Sequence, residues 1–327
     1  MIFITGITGL VGSWIARELL AQNHQIIALK RPESDLSFIK DIENKIKWII
    51  GDIFDVAILS EAIQQSEYVI HAAAFVSFAP KDRRQMYETN VEGTKNIVNI
   101  ALEYPLKKFL FVSSIAALGR SKHIETITEE NEWEDSPLNS FYAKTKFWAE
   151  LEVWRGQAEG LNVAVINPSI VLGEADWHKS STQLFQYAYQ QKTFYPEGTI
   201  NYVDVIDVAK ITAQLLFSDI KGEKFILNGG KTTYLDFLTQ TSTLFNKKPP
   251  KKKIKKWIIA LGWRLGAIYS FFTGKAPLIT KETARSAQSD FSYSNEKVKN
   301  TFKFEFTPLT KTLERVCKEL KNRYQSK

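Results

Sequence analysis

The run Thr5-Gly6-Ile7-Thr8-Gly9-Leu10-Val11-Gly12 follows directly on the apolar stretch that opens the chain and precedes a segment of helical period. Three glycines at this place constrain the fold more than any other feature. They let a strand turn sharply into a helix, let the backbone approach a pyrophosphate, and leave the amides of a helix N-terminus facing the same anion. A turn of this kind belongs to a parallel sheet covered by helices, and the pattern continues to residue 167. Short apolar, β-rich runs at 1–5, 25–30, 46–50, 68–71, 108–113 and 162–167 alternate with helical periods at 10–22, 56–64, 86–103 and 141–159,. The fold class is therefore α/β, with a doubly wound parallel sheet and a smaller, mostly helical C-terminal lobe.

After Pro168 the regularity breaks into a stretch rich in aromatics, among them Trp177, Phe185, Tyr187, Tyr189, Phe194 and Tyr195. Residues 1–168 are expected to form the nucleotide-binding domain, with 202–228 returning to it. Residues 169–201 and 229–327 then make the substrate-binding lobe, the chain leaving the core for good at about Gly229. Cys317 is the lone cysteine, which excludes an intrachain disulfide and a thiol-rich metal site,. No basic, signal-like region precedes the first apolar run, so a cytoplasmic setting is expected. The net charge of +7 is concentrated at Lys247, Lys248, Lys251, Lys252, Lys253, Lys255 and Lys256; without them 36 basic residues face 36 acidic ones. That is one local patch, and nucleic-acid binding, which needs a basic face, is not expected.

Tyr142-Ala143-Lys144-Thr145-Lys146 places a tyrosine and a lysine four residues apart on one helix face,. A phenol at its ordinary value of ~10 is a poor acid–base group at neutral pH, and a neighbouring ammonium favours its ionised form. Ser114 stands at the end of the fifth strand run, on the edge where open α/β sheets bind ligands,. No His/Asp/Glu/Cys cluster has metal-ligand spacing, and no metal is expected,.

These elements together resemble the extended short-chain dehydrogenase/reductases, the NAD-dependent epimerase/dehydratase family, over essentially the whole chain. T-G-x-x-G-x-x-G is that family's form of the glycine turn on its Rossmann sheet. Gly51-Asp52-Ile53 resembles its adenine-binding element, His71-Ala72-Ala73-Ala74 its fourth strand end, Asn90-Val91-Glu92-Gly93-Thr94 its N-x-x-G-T helix, and Asn167-Pro168-Ser169 the element bordering the nicotinamide. The resemblance implies Ser114, Tyr142 and Lys146 as catalytic residues. Cofactor contacts are implied at Gly6, Thr8, Gly9, Leu10, Val11, Gly12, Asp52, Ile53, Ala72, Ala73, Ala74, Asn90, Tyr142, Lys146, Pro168 and Ser169. Asn90 is expected to support the active-site geometry as well, and His71 to be a packing residue. Lys30 and Arg31 stand where an acidic NAD-selecting residue would be, so NADP(H) is the expected cofactor in preference to NAD(H),.

The run Leu138-Asn139-Ser140-Phe141 lacks the acidic pair that sugar-nucleotide dehydratases carry before this tyrosine. The overall look is that of dihydroflavonol reductase-like and hydroxysteroid dehydrogenase-like members, which implies carbonyl reduction, or its reverse, on a small apolar or aromatic substrate. A nucleotide-sugar epimerase and a non-catalytic dinucleotide-binding protein remain open as alternatives. The family resemblance also implies a homodimer formed through 86–103 and 141–159. Residues 257–272 read as a helix of roughly 24 Å with Arg264 near its middle, too short and too charged to span a bilayer core of about 30 Å. That helix caps the substrate pocket or, together with the lysines before it over 251–272, lies weakly on a membrane surface.

Overall fold

Strands of a parallel sheet carry apolar side chains on both faces because helices cover both. The computed structural model, which describes residues 1–121, 124–177, 181–254, 282 and 288–325, has this arrangement. Its main sheet contains β1 (Ile2–Thr5), β2 (Ile26–Lys30), β3 (Ile46–Ile50), β4 (Tyr68–His71), β5 (Lys108–Val112), β6 (Val163–Pro168) and a later strand, β9 (Glu223–Leu227). All pair in parallel, in the order β3-β2-β1-β4-β5-β6-β9. The order reverses between β1 and β4, which opens a crevice beyond the C-terminal ends of those strands.

Alternation along each strand sorts the core into two halves. Ile2 and Ile4 of β1, Ile26 and Ala28 of β2, and Leu110 and Val112 of β5 pack beneath α1 (Leu10–Ala21) and α7 (Val205–Leu216). Phe3, Ile27, Leu29, Val69, Phe109 and Phe111 pack on the other face beneath α2 (Val56–Gln64), α4 (Gly93–Ala101) and α5 (Phe141–Ala158). The helix expected at 86–103 starts earlier, as α3 (Arg83–Tyr87), and passes through a π turn at Glu88–Glu92 before α4. Asn90 lies in that turn, and its side-chain bonds, described below, favour the local widening.

The second lobe has a core of its own. β7 (Ile170–Leu172) and β10 (Gly230–Thr233) flank β8 (Thr199–Asp204), the first parallel and the second antiparallel to it. Phe185, Phe237, Leu313, Val316 and Leu320 fill the space among α6 (Thr182–Tyr189), α8 (Tyr234–Leu244) and α10 (Leu309–Gln325). Asp204 ties this lobe to the sheet: it caps α7 at Ile206 N (2.8 Å), accepts from Thr312 (2.7 Å) and pairs with Arg315 (2.7 Å). The chain does not leave the first core for good at Gly229. Val298 of α9 (Glu296–Phe302), together with Phe302, Phe304 and Phe306, packs against it, because the edge strand β9 leaves apolar surface that only a late segment covers.

The segment 257–272, whether pocket cap or membrane anchor, lies outside the described residues together with Lys255 and Lys256. Among the described residues no helix is long and apolar enough to cross a membrane. Phe109 is fully buried in the centre of the sheet. Phe109→Ala is expected to lower unfolding free energy by about 3–5 kcal/mol, read from the urea midpoint at constant slope; a loss below about 1 kcal/mol would mean that this core is not packed as described.

Candidate active site

The glycine turn is held by close backbone packing. Gly6 has φ +74°, and a Cβ there would lie 2.4 Å from Ala73 N; a Cβ on Gly12 would lie 2.3 Å from the Gly6 carbonyl oxygen. Gly9 is exposed and is the N-cap of α1, with no side chain capping it. By contrast Asp55, Ser140, Asp204 and Thr233 cap α2, α5, α7 and α8. The amides of Leu10, Val11 and Gly12 therefore keep free donors at a helix start, the arrangement that attracts a phosphate.

A crevice of about 260 Å³ lies in front of this turn. Of the cofactor residues read from the sequence, Gly6, Thr8, Gly9, Lys30, Arg31, Asp52, Ile53, Ala72, Ala73 and Ala74 line it. Leu10, Val11 and Gly12 stand beside it on α1, while Asn90, Tyr142, Lys146, Pro168 and Ser169 do not border it. Lys30 Nζ rests 5.0 Å above the Trp48 ring, and Arg31 pairs with Glu33 at 3.2 Å. Exposed pairs of this kind contribute only about 0–1 kcal/mol, so the guanidinium is easily drawn to a better anion. Sequence reasoning missed Ser34, Phe75, Gln85 and Thr89, which also line the crevice. The one available signal was the i, i+4 spacing of Gln85 and Thr89, which puts both on one helix face.

His71 does more than pack. Thr94 donates its hydroxyl proton to the Asn90 carbonyl (2.6 Å), so the contact between Thr94 Oγ1 and His71 Nε2 (2.9 Å) requires the ring to donate. Nδ1 then accepts from Thr5 Oγ1 at 2.7 Å, and that oxygen in turn lies 3.4 Å from Ala73 N. The chain of bonds ties α4, β4, β1 and the β4 loop together. Asn90 joins the β4 loop to α5: Oδ1 accepts from Phe75 N (2.7 Å), and Nδ2 donates to Phe75 O and to Thr145 Oγ1 (both 3.0 Å). Both amide protons are thereby engaged within the protein.

Ser114, Tyr142 and Lys146 meet at the C-terminal end of β5. The Ser114 hydroxyl caps the following turn at Ala116 N (3.2 Å) and stands beside the Tyr142 phenol. Burial pushes that phenol up to about 12, with Ser114 opposing. Lys146 is buried, and its Nζ donates to the Val112 carbonyl at 2.9 Å and lies 4.3 Å from the Phe111 ring centre. Burial pushes it down to about 7, while Glu150 pulls the other way. The lowering of Tyr142 expected from Lys146 is not among the causes of its shift, which are burial and the Ser114 contact. Pro168 ends β6, and the buried Ser169 hydroxyl has no bonding partner among the described residues. Phe78 meets Tyr142 edge-on with centroids 6.4 Å apart. Among the described residues no acidic, histidine or cysteine cluster is placed to hold a metal ion.

The sheet, its switch-point crevice and these residues define an oxidoreductase that binds NAD(P) on a Rossmann fold. Residues 2–225 match the model of the NAD dependent epimerase/dehydratase family, and the chain belongs to that family. It is 27% identical over 304 residues to a protein provisionally named dihydroflavonol 4-reductase from Synechocystis sp., covering 90% of this chain and 87% of that one. It is 24% identical over 328 residues to Cinnamoyl-CoA reductase 1 of Oryza sativa subsp. japonica, covering 96% and 88%. The crystal structure of gox2253 superposes with a TM-score of 0.84 at 29% identity over 99% of both chains.

The buried ring of His71 is pushed down to about 3 from its ordinary value of 6.5, chiefly by burial and secondly by Lys146. The unfolded chain therefore takes up a proton that the folded one refuses. The stability this group contributes is present above pH 6.5 and is lost as pH falls toward 3, with a slope approaching about 1.4 kcal/mol per pH unit. His71→Gln is expected to be less stable at pH 7 yet to have a shallower pH dependence of urea unfolding between pH 6.5 and 4. An unchanged slope would assign the acid sensitivity to other groups.

Proposed function

We propose that the chain transfers hydride between NADP(H) and the carbonyl or alcohol of a small apolar or aromatic substrate. The observation that carries this reading is the convergence of Ser114, Tyr142 and Lys146 at the end of β5, the strand that neighbours β4 of the switch point. The uncapped amides of α1, the Gly6–Ala73 cradle that a Cβ would fill and the unpartnered Ser169 hydroxyl all suit a dinucleotide. NADP(H), when bound, supplies or accepts the hydride.

The chain's own residues account for the remainder. Leu10, Val11 and Gly12 amides would hold the pyrophosphate, Asp52 and Ile53 the adenosine end, and Lys146 the nicotinamide ribose. Lys30 and Arg31 would pair with a 2′-phosphate. A phenol at about 12 keeps its proton at neutral pH, so Tyr142 can donate it to the carbonyl oxygen while the Ser114 hydroxyl shares the developing charge,. Phe78, 36% exposed on the loop after β4, offers an apolar wall beside Tyr142. That wall fits the substrates named in the two relatives' own names, both aromatic. A cytoplasmic site of action suits Cys317, a free thiol buried in the second lobe.

The outer face of α3 and α5 offers Tyr87 and Leu151, 39% and 48% exposed, and Tyr87 meets Trp148 edge-on at 5.9 Å. A second copy of the chain suits this face, since symmetric dimers are the commonest oligomers. Sedimentation is expected to give a dimer at micromolar concentration; a monomer there would contradict the pairing.

Tyr142→Phe should keep cofactor affinity and lower turnover by ~100-fold or more, because only the proton-transfer group is lost. Retention of more than half of wild-type turnover would refute the role. In a fluorescence titration NADPH should bind more tightly than NADH, and Lys30→Ala/Arg31→Ala should erase the difference; equal binding by the wild type would reject the 2′-phosphate pairing.

A further inference from the structure

Glu150 lies one helical turn beyond Lys146, on the same face of α5, and is almost wholly buried,. A carboxylate in such a place needs donors, and Asn167 at the end of β6 provides one: Nδ2 donates to Glu150 Oε1 at 2.6 Å. The second proton of the same amide goes to the main-chain oxygen of Ser114 at 3.0 Å. Both neighbours of Nδ2 are acceptors, which sets the orientation of the amide and leaves Asn167 Oδ1 without a partner among the described residues,. The Ser113 hydroxyl approaches the carboxyl without hydrogen-bond geometry. One acidic side chain is therefore linked to all three proposed catalytic positions: Lys146 through charge, Tyr142 through their shared helix, and Ser114 through Asn167.

We propose that Glu150 is a positioning residue for the Ser114, Tyr142 and Lys146 set, supplying the counter-charge that keeps the buried Lys146 an ammonium and fixing the Ser114 backbone through Asn167. The inference rests on the reaction proposed above. Lys146 has no carboxylate within salt-bridge distance among the described residues; its direct contacts are a carbonyl and an aromatic face, neither of which carries full charge. The titratable groups facing it are Tyr142 and Glu150 on its own helix and His71 from β4, whose buried ring is neutral. Facing Glu150 are Lys146 and, from β9, Lys224. Glu129, Glu130 and Glu132 share with Glu150 and Lys224 a cavity of about 370 Å³ beside α5. A cavity of that size admits several waters at ~30 Å³ each, which lets the carboxylate stay ionised despite its burial. Burial alone moves Glu150 up and Lys146 down, and each opposes the other's shift.

Glu150→Gln keeps an acceptor for Asn167 and removes only the charge, whereas Glu150→Ala removes both. The pH profile of kcat/KM for carbonyl reduction separates the two effects. Loss of the Lys146 proton sets the alkaline limb, so Glu150→Gln should move that limb to lower pH by about one unit or more. Glu150→Ala should move it similarly and lower the plateau by a further tenfold or so, because the tie to Ser114 is gone. An alkaline limb at its wild-type position in Glu150→Gln would overturn the proposal. A second readout needs no substrate: in a thermal cycle of Lys146→Met, Glu150→Gln and the double variant, the double should lose less Tm than the two singles together. Additive losses would overturn the charge coupling. If no carbonyl compound is turned over, the reaction proposed above fails while this cycle still decides the coupling.

Discussion

Gly6 runs so close to the main chain of Ala72 and Ala73, and Gly12 so close to Gly6, that no Cβ fits at either. This backbone contact at the switch point sets the geometry of everything that follows. It brings the uncapped start of α1 to the C-terminal ends of β1 and β4, so free amides face the crevice. It also fixes the β4 loop, which the His71 and Asn90 bonds then connect to α4 and, through Thr145, to α5. The glycine turn and the helix of Tyr142 are parts of one hydrogen-bonded frame. A displacement at one end is therefore carried to the other through short, buried bonds rather than through flexible side chains.

Desolvation governs the other end of the site. Burial lowers Lys146 from 10.5 to about 7 although the Glu150 carboxylate pulls the other way,. Among the described residues Glu150 is the formal negative charge that acts on the lysine. The same burial keeps Tyr142 protonated, which suits a proton donor better than a proton acceptor. Environment thus separates the roles of two side chains that sit one helical turn apart.

Much of this was legible in the sequence, and the reason is physical. Glycines that permit close backbone approach, strands buried on both faces and an i, i+4 pair on a helix all leave local patterns. The crevice residues Gly6 and Gly9 follow from such patterns, whereas Asp52, Ile53, Ala72, Ala73 and Ala74 follow from the family resemblance. What escaped depends on contacts distant in sequence. Nothing local shows that Asn90 is committed to Phe75 and Thr145, that His71 bridges two threonines 89 positions apart, or that Asn167 links Glu150 to Ser114. The return of Val298 and Phe302 to the first core was hidden for the same reason, since it answers an apolar surface on β9 rather than any feature of its own segment. Burial inverted the electrostatic expectation for Tyr142, and burial depends on the whole fold.

In the proposed reaction hydride passes between NADP(H) and a carbonyl carbon, with Tyr142 giving the proton. Its most direct test is to incubate the purified chain with NADPH deuterated at the transferable position and a panel of aryl ketones, aldehydes and nucleotide sugars, and to analyse the products by mass spectrometry. Stoichiometric consumption of NADPH with one deuterium on the carbinol carbon of an apolar or aromatic alcohol is the predicted result. Interconversion of a nucleotide sugar with no net consumption of cofactor, and no labelled alcohol from any ketone or aldehyde, would contradict it.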